Sequence, residues 1–178
     1  PAARFYRPHG IAVDSSGNLY VADNMSDTVR KLRHDRVVTT LMGTRYNIGG
    51  EDAIGMNAHI DGPDGIAVDG GGNVYVIDSS GTVRKVQPSG VVTTLAGHAG
   101  ESGSSDGAGV AALFVGPRGI AADRSGNVFV TDTWGETIRW ITPAGVVSTV
   151  GGTTNLAGSA DGVGANATFN QPTGVAVY

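Results

Sequence analysis

The chain has 178 residues, 29 of them glycine and none of them cysteine, with a net charge of −4 at pH 7. This length suffices for one domain with a hydrophobic core, and the lack of cysteine excludes disulfides, thiolate nucleophiles and zinc–thiolate centres. Lysine and arginine form no basic block or face, which argues against a nucleic-acid partner. No apolar run approaches the roughly 20 residues of a membrane span, and no targeting signal is recognisable. We expect a soluble protein, and zero cysteine is compatible with any compartment.

One unit recurs along the chain. It reads PHGIAVDSSGNLYVAD in 8–23, PDGIAVDGGGNVYVID in 63–78 and PRGIAADRSGNVFVTD in 117–132, and it begins again as PTGVAVY in 172–178. Each copy has a Pro-x-Gly corner, a short apolar strand, a turn rich in Asp and Gly, and a second alternating strand, which together predict a β-hairpin. The first prolines are 55, 54 and 55 residues apart. A period of this size is typical of propellers and solenoids.

A third and a fourth strand are predicted after each hairpin. The third reads TVRKL, TVRKV or TIRWI, and the fourth reads VVTTLMG, VVTTLAG or VVSTVGG. Four antiparallel strands per unit predict an all-β fold, a β-propeller with blades at about 8–43, 63–97 and 117–152 and an extra strand in 172–178.

Three blades leave two sheet faces without a neighbour, whereas closed propellers need about four to eight blades. We therefore expect residues 1–178 to form a single half-propeller domain that closes as a six-bladed ring by homodimerisation. The alternative is a fragment of a longer propeller protein. One strand per chain is then surplus, and either 172–178 replaces the partner's first strand or it is displaced.

Polar, glycine-rich connections join the units. Two of them share the pattern DGxGxxAxF, in which Phe114 is interpreted as a plug between neighbouring blades, replaced by Ile60 in the looser connection 50–63. Asp106 and Asp161 of this pattern lack the ligand spacing of an EF-hand, and we interpret them as turn residues.

Two sets of aspartates recur in every unit. The first set precedes a turn, and the second ends the second strand: Asp14, Asp69 and Asp123; Asp23, Asp78 and Asp132. An aspartate in a turn caps backbone amides, and residues repeated in every blade suit the scaffold better than one site. Both sets are predicted to be structural, the second by bracing the next loop.

The units PxGIAVDxxGNxYVxD, T[VI]R and VVTTLAG resemble NHL repeats over essentially the whole chain. The stretch PDGIAVDGGGNVYV is also similar to the gluconolactonase/regucalcin family of six-bladed, calcium-dependent hydrolases, which are built like paraoxonases and squid-type phosphotriesterases. In that family the residue between Pro and Gly supplies metal ligands at the mouth of the central channel. On this chain the resemblance points to Asp64 as a ligand of Ca²⁺.

The residue between Pro and Gly differs from unit to unit and is His9, Asp64, Arg118 or Thr173. With two Asp64 carboxylates and further oxygen atoms, a ring of two chains is expected to form a calcium cage. His9 is a candidate general base and Arg118 a candidate for holding a developing oxyanion or phosphoryl oxygen. The alternative is a solvated channel rim in which Asp64 and Arg118 balance their charges.

Met25 and Trp134 occupy loops that project to the same end, and with Thr173 they are candidates for lining a substrate pocket. Their alternative role is a subunit contact or loop packing. The function expected is calcium-dependent hydrolysis of an ester, lactone or phosphotriester, since no GxSxG, HExxH or P-loop motif supports another mechanism. The alternative function is a non-catalytic NHL-type module that binds a peptide, glycan or protein.

Overall fold

Alternating apolar residues place one face of each repeat unit in a core, and the units fold as three consecutive antiparallel sheets. The computed structural model describes residues 3–178. Blade one is a sheet of four strands in the order β1-β2-β3-β4. Its strands are β1 (Pro8–Val13), β2 (Leu19–Asp23), β3 (Thr28–Leu32) and β4 (Val38–Met42).

Blades two and three each have five strands, in the orders β5-β9-β8-β7-β6 and β10-β14-β13-β12-β11. Blade two contains β5 (Ala53–Ile54), β6 (Ile66–Val68), β7 (Val74–Ile77), β8 (Val83–Val86) and β9 (Val91–Ala96). Blade three contains β10 (Gly107–Ala108), β11 (Pro117–Ala122), β12 (Val128–Asp132), β13 (Thr137–Ile141) and β14 (Val146–Gly151). Short 3-10 helices cover Asn24–Ser26, Gly55–Asn57, Gly109–Ala111 and Gly164–Asn166.

The first strands of the three hairpins lie side by side, with β6 between β1 and β11. The other strands follow outward from them, so the blades are arranged as in a propeller. One hydrophobic cluster joins blades one and two and contains Ile60, and the other joins blades two and three and contains Phe114. The predicted all-β propeller and the predicted plugs between blades are confirmed.

The outermost strand of blades two and three differs from the prediction of four strands per blade. Strands β5 and β10 come from the connections and pair with the outer edges of β9 and β14. The sequence signal for these strands is weak because each has only two residues. The extra strand predicted in 172–178 is not formed in this chain, since those residues are in no strand. The second strand that would complete their hairpin is not among residues 3–178.

The turn aspartates cap their hairpins as predicted. Asp69 Oδ1 accepts the N–H groups of Gly71 and Asn73 at 2.9 Å, and its Oδ2 accepts the Tyr75 hydroxyl at 2.9 Å. In the third copy the Asn127 side chain, with nearby backbone N–H groups, lowers the pKa of Asp123. These bonds fix the turn between the first two strands of each repeat unit.

The aspartates that end the second strand are also structural, but they brace different segments. Asp78 accepts the N–H and hydroxyl of Thr82 in the next loop, as predicted. Asp23 and Asp132 instead accept an N–H from the preceding connection, from Tyr6 and Val115 respectively. None of the helices in residues 3–178 has the length and apolar character needed to cross a bilayer.

Candidate functional site

The glycine of each Pro-x-Gly corner allows neighbouring first strands to approach closely. Gly10 N donates to the Asp64 carbonyl at 3.0 Å, and a side chain at position 10 would collide with that carbonyl. A side chain at position 65 would likewise collide with the Arg118 carbonyl, and one at position 119 with the Thr173 carbonyl. Only glycine leaves room for such an approach. The residues before these glycines therefore lie along one end of the innermost strands, and we call His9, Asp64, Arg118 and Thr173 the rim.

His9 and Asp64 form the one side-chain pair of the rim that the structure joins. His9 Nδ1 lies 3.0 Å from Asp64 Oδ1, and the two side chains are 39% and 37% exposed. Because a carboxylate only accepts hydrogen bonds, Nδ1 carries the proton of this bond. When the ring is neutral, Nε2 is then a free base, and it has no hydrogen-bond partner among residues 3–178. This is the arrangement in which a carboxylate orients a histidine for proton transfer.

The Arg118 side chain makes no hydrogen bond or ion pair with His9 or Asp64 within residues 3–178. Its guanidinium carbon is 5.9 Å from the centre of the Trp134 ring, which is within the range of a cation–π contact. Within residues 3–178 it forms no ion pair, so the charge balance with Asp64 that the sequence offered as an alternative is not made by direct contact. Thr173 is exposed, and its carbonyl lies beside Gly119 of the neighbouring strand.

Met25 and Trp134 are both partly exposed, at 41% and 49%, but they have different surroundings. Met25 lines a hollow of about 560 Å³ together with Tyr6, Tyr46 and Asp61. Trp134 packs against Arg118 and against Gly116, the residue before Pro117, instead. The structure does not bring the two side chains together in that hollow, and a pocket lined by both stays a prediction.

The rim of one chain contributes one carboxylate, that of Asp64. Ca²⁺ takes six to eight oxygen ligands, usually several carboxylates. No group of three His, Asp or Glu side chains in residues 3–178 is placed to hold a metal ion, and Asp64 already pairs with His9. Calcium binding therefore stays a prediction, in which a second chain adds a further Asp64 carboxylate.

Two buried arginines in the third strands were missed as interaction sites by the sequence analysis. Arg84 and Arg139 are fully buried and reach the connection that enters their blade. Arg84 Nη2 donates to Asp52 Oδ1 at 2.8 Å, and Arg139 Nη2 donates to Asp106 Oδ1 at 2.7 Å. We call each of these a connection pair. The sequence did contain a signal for these contacts: every T[VI]R segment has an arginine at the same position of the third strand, where a buried cation needs a partner.

Asp106 is therefore more than a turn residue, which corrects the interpretation from sequence. Partial burial would raise its pKa, but the Thr149 N–H and the Arg139 guanidinium outweigh burial and lower the pKa. An ionised Asp106 thus holds its connection on the outer edge of blade three. Asp52 binds Thr94 of blade two in the same manner, through Oδ2 to the N–H and Oδ1 to the hydroxyl.

Comparison with known proteins supports the repeat family. The family described as NHL repeat matches residues 5–31, and the family described as teneurin NHL domain matches residues 47–108. A search of curated proteins found no match to this chain.

Several solved structures have a similar fold. A structural-genomics protein from Bacteroides thetaiotaomicron is 26% identical with a TM-score of 0.76, over 97% of this chain and 42% of that protein. An auxiliary nutrient binding protein from the same organism is 19% identical with a TM-score of 0.71, over 94% of this chain and 42% of that protein. A gluconolactonase from Xanthomonas campestris is 16% identical with a TM-score of 0.52, over 82% of this chain and 47% of that protein.

The chain spans less than half the length of each of these three proteins. The similarity between these proteins and this chain is a similarity of fold. The repeat units, the three sheets around the innermost strands and the family matches together identify the chain as an NHL-repeat protein with the β-propeller fold.

Proposed function

We propose that the rim hydrolyses small esters, lactones or phosphotriesters, with His9 as general base and Asp64 as the group that orients it. The observation that carries the proposal is the 3.0 Å contact between His9 Nδ1 and Asp64 Oδ1 at an exposed position. A positioned general base typically contributes 10²–10⁴-fold to a rate.

The chemistry needs water and the substrate. His9 Nε2 removes a proton from water while the water oxygen bonds to the carbonyl carbon or phosphorus. As the bond to the leaving oxygen breaks, the protonated His9 returns a proton to that oxygen. Arg118 supplies positive charge for the oxyanion that develops in between, provided that its guanidinium turns from Trp134 toward the substrate.

Calcium enters this proposal only where a second chain adds oxygen ligands, and no step above depends on it. A bound calcium ion would polarise the substrate oxygen as a Lewis acid. Two chains in one ring would bring two Asp64 carboxylates to the same channel, which supports testing the metal together with the assembly.

Hydrolysis of an aryl ester, a lactone and a phosphotriester tests the proposal, each measured after chelation and again with calcium restored. We expect His9→Ala to lower kcat by at least about 100-fold. Asp64→Asn should lower kcat with a smaller change in KM, because it disturbs the orientation of the base. His98→Ala is the matched control, since His98 is also exposed but pairs with Glu101 away from the rim. Equal activity of wild type and His9→Ala, or no hydrolysis of any substrate, would overturn the proposal.

A second candidate function is binding without catalysis, and the exposed Trp134 ring beside Arg118 favours it. A flat aromatic surface next to a cation and a polar rim suits a glycan or a peptide. One similarly folded protein is named an auxiliary nutrient binding protein. Titration with a panel of oligosaccharides and peptides separates the two functions: a binding module would lose affinity in Trp134→Ala and keep it in His9→Ala.

A further inference from the structure

The outer edge of blade one is incomplete compared with blades two and three. In blade two, Ala53 and Ile54 of the entering connection pair with Val92 and Val91 of β9. In blade three, β10 pairs with β14 in the same register. Within residues 3–178, β4 of blade one pairs with β3 alone. Its outer edge is open.

Blade one nevertheless has the residues that hold a connection in the other blades. Arg30 lies opposite Thr40, as Arg84 lies opposite Thr94 and Arg139 opposite Thr149. In blades two and three this pair of residues binds the aspartate of the connection. Counted back by the same distance from Arg30, the equivalent aspartate would precede Pro1.

Arg30 is poorly satisfied where it lies. Its Nη1 makes one long hydrogen bond, 3.4 Å to the Arg4 carbonyl, and lies 3.9 Å from Asp23 Oδ2. Its Nη2 has no hydrogen-bond partner among residues 3–178, whereas the Nη2 atoms of Arg84 and Arg139 each bind a carbonyl and an aspartate. The side chain is 19% exposed, compared with 0% for the other two. Arg30 and Thr40 face a cavity of about 510 Å³.

The connection after blade three has an aspartate and a strand-forming segment that lack a partner within residues 3–178. Its 3-10 turn packs on β14, and Gly152 N donates to the Gly164 carbonyl at 3.2 Å, as Gly97 N does to Gly109 in the preceding connection. Asp161 is equivalent to Asp52 and Asp106, but it is exposed and has no ion-pair partner within residues 3–178. Val163 is 87% exposed and lies in no strand.

We propose that residues 161–164 of one copy dock on the open edge of blade one in a second copy. Asp161 then binds the second copy's Arg30 and Thr40, as Asp106 binds Arg139 and Thr149 within this chain. Val163 lies opposite Val37 by equivalence with Ile54 and Val91.

The turn before β4 has the backbone conformation that this docking requires. Gly55 N donates to the Gly90 carbonyl and Gly109 N to the Gly145 carbonyl, both at 2.9 Å. The two glycines that accept these bonds have φ angles of +86° and +82°. Arg36 occupies the equivalent position in blade one with a φ of +69°, so its carbonyl is available for the Gly164 N–H of the second copy.

Residues 161–164 cannot reach the edge of blade one in their own chain, because blade two separates blades one and three. The exposed faces agree with a second copy. Ile11 of blade one is 62% exposed, whereas its equivalents Ile66 and Ile120 are 6% and 9% exposed. Phe5 is 38% exposed, whereas the equivalent Phe114 is 1% exposed. Uncovered apolar faces of repeat units are stabilised by stacking on a further unit. Two junctions of this kind close a ring of six blades.

The inference concerns the outer edge of the blades and does not depend on hydrolysis at the rim. A cysteine pair tests its register, since the chain has no cysteine of its own. Val37 and Val163 are both exposed, and opposed residues of antiparallel strands have Cα atoms close enough for a disulfide. Under mild oxidation, V37C/V163C should run at twice the mass of one chain on a non-reducing gel. The matched control is V37C/V110C, which pairs Val37 with another exposed valine that lies outside the junction.

Charge reversal tests the same junction without a covalent bond. Wild type should sediment at twice 18.0 kDa over a dilution series. Because like charges at an interface cost several kcal/mol, D161R should raise the dissociation constant at least about 100-fold with an unchanged circular dichroism spectrum. R124D, a reversal of an exposed arginine in a blade-three turn, should leave the mass unchanged. The inference fails if wild type sediments as a monomer throughout, if D161R dimerises like wild type, or if the cysteine pair links within one chain.

Discussion

At the scale of single residues, a buried carboxylate ties blade one and blade three to the connection that precedes each of them. Asp132 accepts the Val115 N–H at 2.7 Å through Oδ1 and Arg139 Nη1 at 3.1 Å through Oδ2. Burial nevertheless raises the pKa of Asp132 to about 6, against its ordinary value of 3.8. Loss of solvent around the carboxylate outweighs the two favourable contacts.

This shift predicts how Asp132 affects stability as the pH changes. The folded protein binds the proton more tightly than the unfolded chain, so the contribution of Asp132 to stability is fully present below about pH 4 and is lost as the pH rises through about 6. The amide introduced by Asp132→Asn would keep an acceptor for the Val115 N–H and would not titrate. The free energy of unfolding of wild type, relative to Asp132→Asn, should therefore increase when the pH is lowered from 7 to 4.

Urea denaturation at several pH values measures this difference. Asp35→Asn is the control, because Asp35 is exposed, pairs with exposed Arg33 and accepts the N–H of exposed Val37. The difference in the free energy of unfolding between wild type and Asp35→Asn should vary little with pH. A wild-type advantage over Asp132→Asn that grows toward pH 7 would contradict the prediction.

At the scale of elements, the third and fourth strands of each blade are joined through a β-bulge near their ends. In blade two the register shifts between Val83 and Arg84, and Gly97, with a φ of +93°, directly follows β9. A side chain at Gly97 would collide with the Gly81 carbonyl. The glycine that ends each VVTTLAG-type segment therefore allows one backbone to pass close to another.

Two glycine substitutions separate this packing from backbone strain. Gly97→Ala and Gly17→Ala both place alanine in the left-handed region, which costs about 1–2 kcal/mol. A side chain at Gly17 meets nothing within 4 Å, so that variant should pay this cost alone. Gly97→Ala should lose at least about 3 kcal/mol, because the fourth strand must also move. Equal free energies of unfolding for the two variants would show that the contact is easily relieved.

Most of the elements were predictable because their signals are local. Strands such as Thr28–Leu32 and Thr137–Ile141 have the bounds expected from alternating apolar residues. Strands β5 and β10 were not predictable, since two residues show no period and their pairing depends on arginines more than 30 residues away. At the rim, the repeated Pro-x-Gly pattern identified the positions of His9 and Asp64. The separation of Met25 from Trp134 depends on loop packing that no local pattern reports.

At the scale of the whole molecule, residues 172–178 repeat the sequence of the first strand of a unit without the rest of that unit. Pro172 is equivalent to Pro8, so residues 172–178 take the place that β1 would take in a following blade. The Thr133 hydroxyl donates to the Pro172 carbonyl at 2.8 Å, and the Thr173 carbonyl lies beside Gly119. In a ring of two copies, these contacts would compete with the partner's own first strand.

This competition predicts the effect of shortening the chain. If the junction proposed above forms, deletion of residues 172–178 should lower the dissociation constant of the ring several-fold, because no segment then has to be displaced. Sedimentation of the shortened and full chains over the same dilution series measures the change. Weaker association of the shortened chain would mean that 172–178 itself holds the copies together.

The connections that join the blades also determine how the protein comes apart. The connection 50–63 packs its 3-10 turn on β4 of blade one and adds β5 to the edge of blade two, so it belongs to both. Opening either blade releases this segment and deprives the other of contacts. Neighbouring blades are therefore not separate units of unfolding, even though their sheets share no strand. Heat or denaturant should unfold neighbouring blades together. Hydrogen exchange of the central strands of adjacent blades should then report a common free energy of opening.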